Sequence, residues 1–300
     1  MHQKRNRVVQ VSVLLLFAGI LGLRALSEPK SDFRFSIVGD RTGSASPQVY
    51  GRVWREVDLL RPDFVINVGD VIQGGNDQRA EADWQEVSPV WKRYGPYPLY
   101  FTPGNHDIWS PWSEKLFEKY AQQKPYYGFN YQDAHFTVLD NSRGLDLSEE
   151  QIRFLERDLE ANKERKPKFI FFHKPYWIVF LKAQSGEFSL HQVAKKYGVE
   201  HVISGHGHQF VRMERDGISY MEVGSSGATI GTAMKRFEGF SQGRFYHHVW
   251  ATVKGAKAYF TVKEIDGPMG EGRMFRAEDW DEKGPKFDTG DPAISAKPET

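Results

Sequence analysis

Short apolar runs alternate with helix-like segments along the chain from Phe33 onward. Buried strands are predicted from their length and aromatic or β-branched content at 33–38, 64–68, 98–101, 168–172 and 200–204. Apolar residues at every third or fourth position predict amphipathic helices at 47–60, 80–94, 148–163 and near 189–197. Ser148 and Gln151 also predict a capping box at the start of the third helix. This alternation favours an α/β fold.

Three later segments predict antiparallel hairpins, because each has two strand-like runs joined by turn residues. The turns fall at Gln132-Asp133, at Asp216-Gly217 and at Lys254-Gly255. Together with the alternating strands and helices, these hairpins indicate two facing mixed β-sheets flanked by helices. We expect this sandwich to occupy residues 32–265, and the Gly-, Pro- and charge-rich residues 266–300 to form a loosely ordered tail.

Composition removes several classes of function. The 300 residues include 40 Lys and Arg against 39 Asp and Glu, so overall charge gives no signal for nucleic-acid binding. An anionic substrate must therefore be attracted locally. The chain contains no cysteine, which excludes disulfides, thiolate metal sites and a cysteine nucleophile.

The N-terminus has the features of an export signal. Lys4, Arg5 and Arg7 precede a mostly apolar stretch at 8–23, and Ala25 and Ser27 offer the small residues of a cleavage site. Residues 1–27 are therefore predicted to be a signal peptide or an uncleaved signal anchor. Either reading places the domain outside the cytoplasmic membrane, with membrane contact only through this segment.

Polar motifs follow five of the predicted strands. They are Gly-Asp at 39–40, Gly-Asp at 69–70, Gly-Asn-His-Asp at 104–107, a histidine at 173, and Gly-His-Gly-His at 205–208. Ligands gather beyond the carboxyl ends of strands in such folds. Oxygen and imidazole donors without sulfur suit Mn, Zn or Fe, and six of them fit two ions that share a carboxylate. The candidate ligands are Asp40, Asp70, Asn105, His173, His206 and His208.

The order and spacing of these five motifs resemble those of the calcineurin-like metallophosphoesterase family, which includes the purple acid phosphatases. The resemblance covers about 33–209 and implies a four-layer α/β sandwich with a dinuclear site that hydrolyses a phosphoester by a metal-activated hydroxide. It implies that Asp40 and His208 bind the first metal and that Asp70 bridges both. It implies that the second metal is held by Asn105, His173 and His206.

The resemblance also implies one residue that acts on the substrate, His106, and one that orients it, Asp107; a third residue, Arg41, is a candidate because of its chemistry and its place beside the metals. His106 would face the scissile ester and either stabilise phosphoryl oxygens or protonate the leaving oxygen. Asp107 would orient His106, because an imidazole works best when its other nitrogen is fixed. Arg41, next to the metals, could bind a phosphate with its forked guanidinium.

The first motif departs from the common family pattern of Asp-x-His. Thr42 stands at the histidine position, and Gln73 stands where purple acid phosphatases place a tyrosine. We therefore expect a weaker, oxygen-richer first site in which Gln73, Thr42 or water fills the gap.

Two functions remain open at this stage. The first is an exported phosphoesterase that acts on a phosphate mono- or diester. The second is a non-catalytic domain that keeps the fold and binds phosphate or metal, which the missing histidine favours. Trp109, Trp112, Tyr176 and Trp177 follow the motifs closely and form either an aromatic rim or ordinary loop packing.

Overall fold

The computed structural model describes residues 32–46, 48–183, 188–230, 235–236 and 242–265, together with three short strands further on. The predicted signal segment 1–27 lies outside the described residues, as does most of the predicted tail. The helices are α1 (Val49–Leu60), α2 (Ala80–Lys92), α3 (Pro111–Ala121), α4 (Glu149–Ala161), α5 (Trp177–Lys182) and α6 (Ser189–Lys196).

The strands form two large mixed sheets. In chain order they are β1 (Phe33–Val38), β2 (Phe64–Asn67), β3 (Leu99–Phe101), β4 (Tyr127–Tyr131), β5 (Ala134–Val138), β6 (Lys168–Phe171), β7 (His201–Ser204), β8 (Phe210–Arg215), β9 (Ile218–Val223), β10 (Lys235–Arg236), β11 (Gln242–Arg244), β12 (Tyr246–Lys254), β13 (Lys257–Ile265), β14 (Met274–Phe275), β15 (Trp280–Asp281) and β16 (Gly284–Pro285). The first sheet has the order β14-β13-β12-β1-β2-β3, and the second has the order β10-β11-β8-β9-β7-β6-β5-β4. Strands β15 and β16 pair with each other.

Three apolar clusters hold the layers together. The first lies between the sheets and includes Phe35 and Phe64 from one sheet and Phe136 from the other. The second packs helices α1 to α3 on the first sheet, and the third packs α4 to α6 on the second. Each fully buried side chain of this size contributes roughly 1.5–3 kcal/mol. The chain is thus the predicted four-layer α/β sandwich.

All three predicted hairpins are present, and two of them turn at the predicted residues. Strands β4 and β5 turn at Gln132-Asp133, and β8 and β9 turn at Asp216-Gly217. In the third hairpin, Lys254 pairs with Lys257, so the turn lies one residue later than predicted.

Two helix predictions need correction. The Ser148 hydroxyl accepts a hydrogen bond from the Gln151 backbone at the start of α4, but the Gln151 side chain bonds both backbone groups of Asp140. The predicted capping box is therefore only half formed, because Gln151 is used to tie the helix to the preceding loop. Helix α3 was not predicted, although Ser110 caps it and Pro111 occupies its first turn, two signals that the sequence contains.

The parallel strands bring the motif loops together. Strands β1, β2 and β3 are parallel neighbours, as are β5, β6 and β7. Hydrogen bonds then join the loops beyond the strands: the Asp40 amide donates to Gly69, and the Gly205 amide donates to His173. All five motifs therefore lie at one edge of the sandwich.

Candidate metal centre

Two groups of ligand-type side chains lie at this edge and share one member. Asp40, Asp70 and His208 each offer one ligand atom within 4.8 Å of the others, and so do Asp70, His173 and His206. Asp70 therefore lies between the two groups. The structure brings these five residues together in the two sets that the family resemblance implies.

Backbone carbonyls fix the orientation of two of the histidines. His173 Nδ1 lies 2.8 Å from the Val68 carbonyl oxygen, and His208 Nδ1 lies 2.8 Å from that of Thr229. A carbonyl can only accept, so both rings donate from Nδ1 and direct Nε2 elsewhere. His173 Nε2 lies 3.2 Å from Asp70 Oδ2 and 3.3 Å from His206 Nδ1. Several donor atoms of the second group thus converge on one point, as ligands of an ion do.

Two buried oxygens at this edge are suited to bind a cation. Among the described residues, Asp40 Oδ2 and Asn105 Oδ1 have no hydrogen-bond partner. Leaving a buried acceptor unpaired costs about 1–3 kcal/mol, and more for a charged group. Side chains at Gly205 and Gly224 would fill the space beside Asp40 Oδ2, since a Cβ there would lie 2.6 and 2.5 Å from it. The donor set and this space fit divalent or trivalent ions.

The ligand loops have unusual backbone conformations. Asp40, Asp70, His206 and His208 have φ values of 54°, 56°, 83° and 51°, in the left-handed region that residues with a side chain rarely adopt. Each such residue costs on the order of 1–3 kcal/mol, and such strain concentrates at functional sites. The loops are therefore built for the positions of these side chains rather than for stability.

The buried carboxylates and His173 shift one another's pKa values. Burial raises the pKa of Asp40 well above its usual range, opposed by the charge of His173 and reinforced by that of Asp70. Burial opposes the charged form of His173 as well, but the charge and hydrogen bond of Asp70 raise the pKa of that imidazole to about 9. Positive charge is thus strongly favoured at this position, as a metal site requires.

His106 lies beside the shared carboxylate. Its backbone amide donates to Asp70 Oδ1 at 3.0 Å, and its Nδ1 donates to the Gln73 carbonyl oxygen at 2.5 Å. The ring is therefore oriented by Gln73 and not, as expected, by Asp107.

Asp107 instead joins the second and third motifs. Its fully buried carboxylate accepts hydrogen bonds from the backbone amides of Val71, Ile72 and Gly104 at 2.8, 3.2 and 2.9 Å. Burial, with the nearby charge of Asp70, raises the pKa of Asp107 to about 6. Its carboxylate is used to hold the two loops together, which is why it does not reach the His106 ring.

The two residues that could replace the missing histidine bind each other. The buried Thr42 hydroxyl donates to Gln73 Oε1 at 2.6 Å. This bond occupies one lone pair of the Gln73 oxygen and uses the only proton of the hydroxyl.

Arg41 does not point freely into the site. Its guanidinium lies 3.1 Å from Glu86 and 3.3 Å from the Val71 carbonyl oxygen. Arg41 and Glu86 line a polar cavity of about 140 Å³ together with Thr42 and Gln73. The expected contact of Arg41 with phosphate therefore competes with an existing ion pair.

The aromatic residues near the motifs are mostly packed. Trp177 is fully buried and donates to Ser204, and Tyr176 packs against Phe172. Trp112 is 45% exposed. Ordinary packing thus accounts for Trp177 and Tyr176, while Trp112 remains open to solvent.

Glu222, which contacts the loop that carries the Gly-His-Gly-His motif, was not predicted as a functional residue. Glu222 is fully buried and accepts a hydrogen bond from Gln209, directly after the Gly-His-Gly-His motif. The position of Glu222 within a strand did not mark it as functional, because a single sequence does not show which loop packs over a strand residue.

Comparison with known proteins agrees with the fold and the motifs. The model of the calcineurin-like phosphoesterases matches residues 34–210, and the chain belongs to this family. It is 24% identical over 193 residues to purple acid phosphatase 15 of Arabidopsis thaliana, which covers 51% of this chain and 36% of that protein. The match thus spans little more than a third of the curated relative.

Solved structures with the same fold include proteins of different kinds. The purple acid phosphatase PPD1 from yellow lupin seeds has a TM-score of 0.59 at 14% identity, covering 82% of this chain and 54% of that one. GAP50, the anchor in the inner membrane complex of Plasmodium, also has a TM-score of 0.59, at 16% identity, covering 81% and 88%. PhoD has a TM-score of 0.55 at 11% identity, covering 83% and 70%.

The comparisons and the geometry establish a metallophosphoesterase-family protein with two candidate groups of metal ligands. Among the described residues, no helix is both long and apolar enough to cross a bilayer.

Proposed function

We propose that this protein is a metal-dependent phosphoesterase that hydrolyses a phosphate mono- or diester at a dinuclear centre of Mn, Fe or Zn. The observation that carries the proposal is the position of Asp70, which belongs to both groups of ligand atoms. A shared carboxylate is the feature that distinguishes a site for two nearby ions from two separate sites.

Each candidate ligand would bind one ion of such a site or both. Asp40 and His208 would hold one ion, His173, His206 and Asn105 would hold the other, and Asp70 would bridge them. Bound ions of this kind lower the pKa of water and neutralise charge on phosphoryl oxygens.

His106 would handle the proton of the leaving group. Its Nδ1 proton is held by the Gln73 carbonyl, so Nε2 is the nitrogen that can face a substrate. As an imidazolium, His106 donates a proton from Nε2 to the leaving oxygen; as a neutral ring, its Nε2 only accepts. Asp107 acts on the loops that carry Asp70 and His106, because its hydrogen bonds join their backbones.

A second candidate function is a non-catalytic binding domain. Two observations favour it: Thr42 replaces a histidine ligand, and the similar fold of GAP50 belongs to a protein described as an anchor. Fold likeness alone does not decide function. The half-buried His106 beside Asp70 favours the enzyme, since a binding domain needs no proton donor there.

Hydrolysis assays on metal-loaded protein separate the two functions. The purified protein would be loaded with Mn²⁺, Zn²⁺ or iron and tested on p-nitrophenyl phosphate and bis(p-nitrophenyl) phosphate, with Asp70→Asn as the control. We expect metal-dependent hydrolysis of one of these esters that the variant lacks. Two bound ions without hydrolysis of either ester, or of a wider panel, would favour the binding domain.

We further propose that the domain is exported and that its partner is a phosphoester outside the cytoplasmic membrane. The support is the basic and apolar pattern of residues 4–23 with the small residues Ala25 and Ser27. N-terminal sequencing of protein from the native host should find a start at or near Glu28. Full-length protein in the membrane would select the anchor, and full-length protein in the cytoplasm would contradict export.

A further inference from the structure

Glu222 lies directly below the loop that carries two of the candidate ligands. It is the fifth of the six residues of β9, and it pairs in register with Ser204, the last residue of β7. The chain leaves β7 at Ser204 and enters the Gly-His-Gly-His loop at Gly205. The loop therefore folds back over the end of β9, and the Glu222 side chain is fully buried beneath it.

The Glu222 carboxylate contacts the loop at two points. Its Oε2 accepts a hydrogen bond from Gln209 Nε2 at 3.0 Å. A Cβ on Gly207 would lie only 1.9 Å from its Oε1, so the carboxylate packs directly against this glycine and leaves no room for a side chain. Within the described residues, Oε1 has no hydrogen-bond partner.

Gly207 stands between His206 and His208, which belong to different ligand groups. Both histidines have a left-handed backbone, with φ values of 83° and 51°. A loop with two such residues in three positions needs support from its surroundings to hold that shape. Because Gly207 stands between the two histidines, the Glu222 side chain that packs against it can affect the positions of both.

The charge of Glu222 also bears on the ligand groups. Burial raises the pKa of Glu222 to about 8, and the hydrogen bond from the Gln209 side chain opposes this rise. When it is ionised, Glu222 in turn raises the pKa of Asp40. Burying a carboxylate with an unpaired oxygen costs free energy. Metal cations bound nearby would offset that cost.

We propose that Glu222 is a positioning residue that holds the 205–209 loop in the shape that presents His206 to one ion and His208 to the other. The proposal rests on the dinuclear centre proposed above. It predicts a pattern that a ligand of one ion cannot give: loss of Glu222 weakens both ion sites together, whereas loss of either histidine mainly weakens its own site.

The test is a calorimetric titration of metal-free protein with Mn²⁺ or Zn²⁺. Glu222→Gln should weaken both binding steps by about 10- to 100-fold, the usual effect of removing a group that supports metal ligands. His206→Ala and His208→Ala should each mainly affect one step, and one different from the other. Gln209→Ala should shift both steps in the same direction by a smaller factor, and it keeps the proposal testable if Glu222→Gln does not fold.

Tyr220→Phe is the matched control. Tyr220 is buried in the same strand, two residues before Glu222, and its hydroxyl bonds His191 rather than the loop. This variant should lose thermal stability without any change in metal affinity. Wild-type affinities in Glu222→Gln or in Gln209→Ala, or a shift in one step only, would overturn the proposal. Failure of the wild type to bind two ions would instead contradict the dinuclear centre itself.

Discussion

His173 follows β6 of one sheet and Asp70 follows β2 of the other, yet their side chains meet 3.2 Å apart at the edge of the sandwich. The His173 ring is held from behind by the Val68 carbonyl, and Asp70 is held by the backbone amide of His106. The contact therefore joins the two sheets at the position where both ligand groups overlap.

The first prediction concerns His106. His106→Ala should leave metal content nearly intact and lower kcat by roughly 10²–10⁴, the usual effect of removing a positioned acid. The loss should be smaller for aryl esters than for alkyl esters, because a good leaving group needs no proton. Steady-state kinetics with the two ester types measure the difference. Equal losses for both would show that His106 stabilises phosphoryl charge instead.

The second prediction concerns Thr42, which occupies the position of a family ligand. The ion held by Asp40 and His208 should leave first on mild chelation, because that site has fewer nitrogen donors. Thr42→His should tighten it, since imidazole outcompetes a hydroxyl for ions of this class. Gln73 is exposed and can move to admit the larger ring.

Stepwise chelation with metal analysis measures this order of release. Gln73→Ala is the matched variant, because it removes the hydrogen-bond partner of Thr42 without adding a ligand. It should not tighten the first site. Simultaneous loss of both ions from the wild type, unchanged in Thr42→His, would mean that another residue replaces the histidine fully.

The sequence predicted the parts of this site that follow from strand order. Asp40, Asp70 and His173 each come directly after an apolar run, and the carboxyl ends of parallel strands share an edge, so their proximity could be foreseen. The four layers could also be foreseen, because strand and helix patterns alternate before the hairpins.

Contacts between residues that are far apart in the sequence could not be predicted. Asp107 was expected beside the His106 ring, but its carboxylate binds amides about 35 positions earlier in the chain. Arg41 is predicted to bind phosphate, and its ion pair with Glu86 on α2 could not be foreseen. Which backbone amide or carboxylate is available for a given side chain depends on how the loops pack. That packing cannot be inferred from the spacing of residues in the sequence.

The third prediction concerns pH and His247, a residue of β12 that belongs to neither ligand group. His247 is fully buried, its Nδ1 donates to the Phe245 carbonyl, and burial lowers its pKa to about 4. An unfolded histidine has a pKa near 6.5. Between these values the unfolded state binds a proton that the folded state does not, so stability falls as the pH drops below about 6.5.

This histidine should contribute a loss of about 2 kcal/mol between pH 7.5 and pH 5. Denaturant unfolding of the wild type and His247→Leu at both pH values measures it. The variant should gain about 2 kcal/mol relative to the wild type when the pH is lowered. The same difference between the two proteins at both pH values would show that His247 does not lose its proton on folding.

The central claim is that Asp70 joins two ions in one site, and the number of ions bound per chain tests it most directly. Metal analysis after dialysis should find two ions in the wild type. Asp70→Asn should lose affinity for both and lose hydrolysis, because a neutral amide no longer balances two cations held close together. Two tightly bound ions and a normal rate in Asp70→Asn, or a single ion in the fully loaded wild type, would contradict the dinuclear centre.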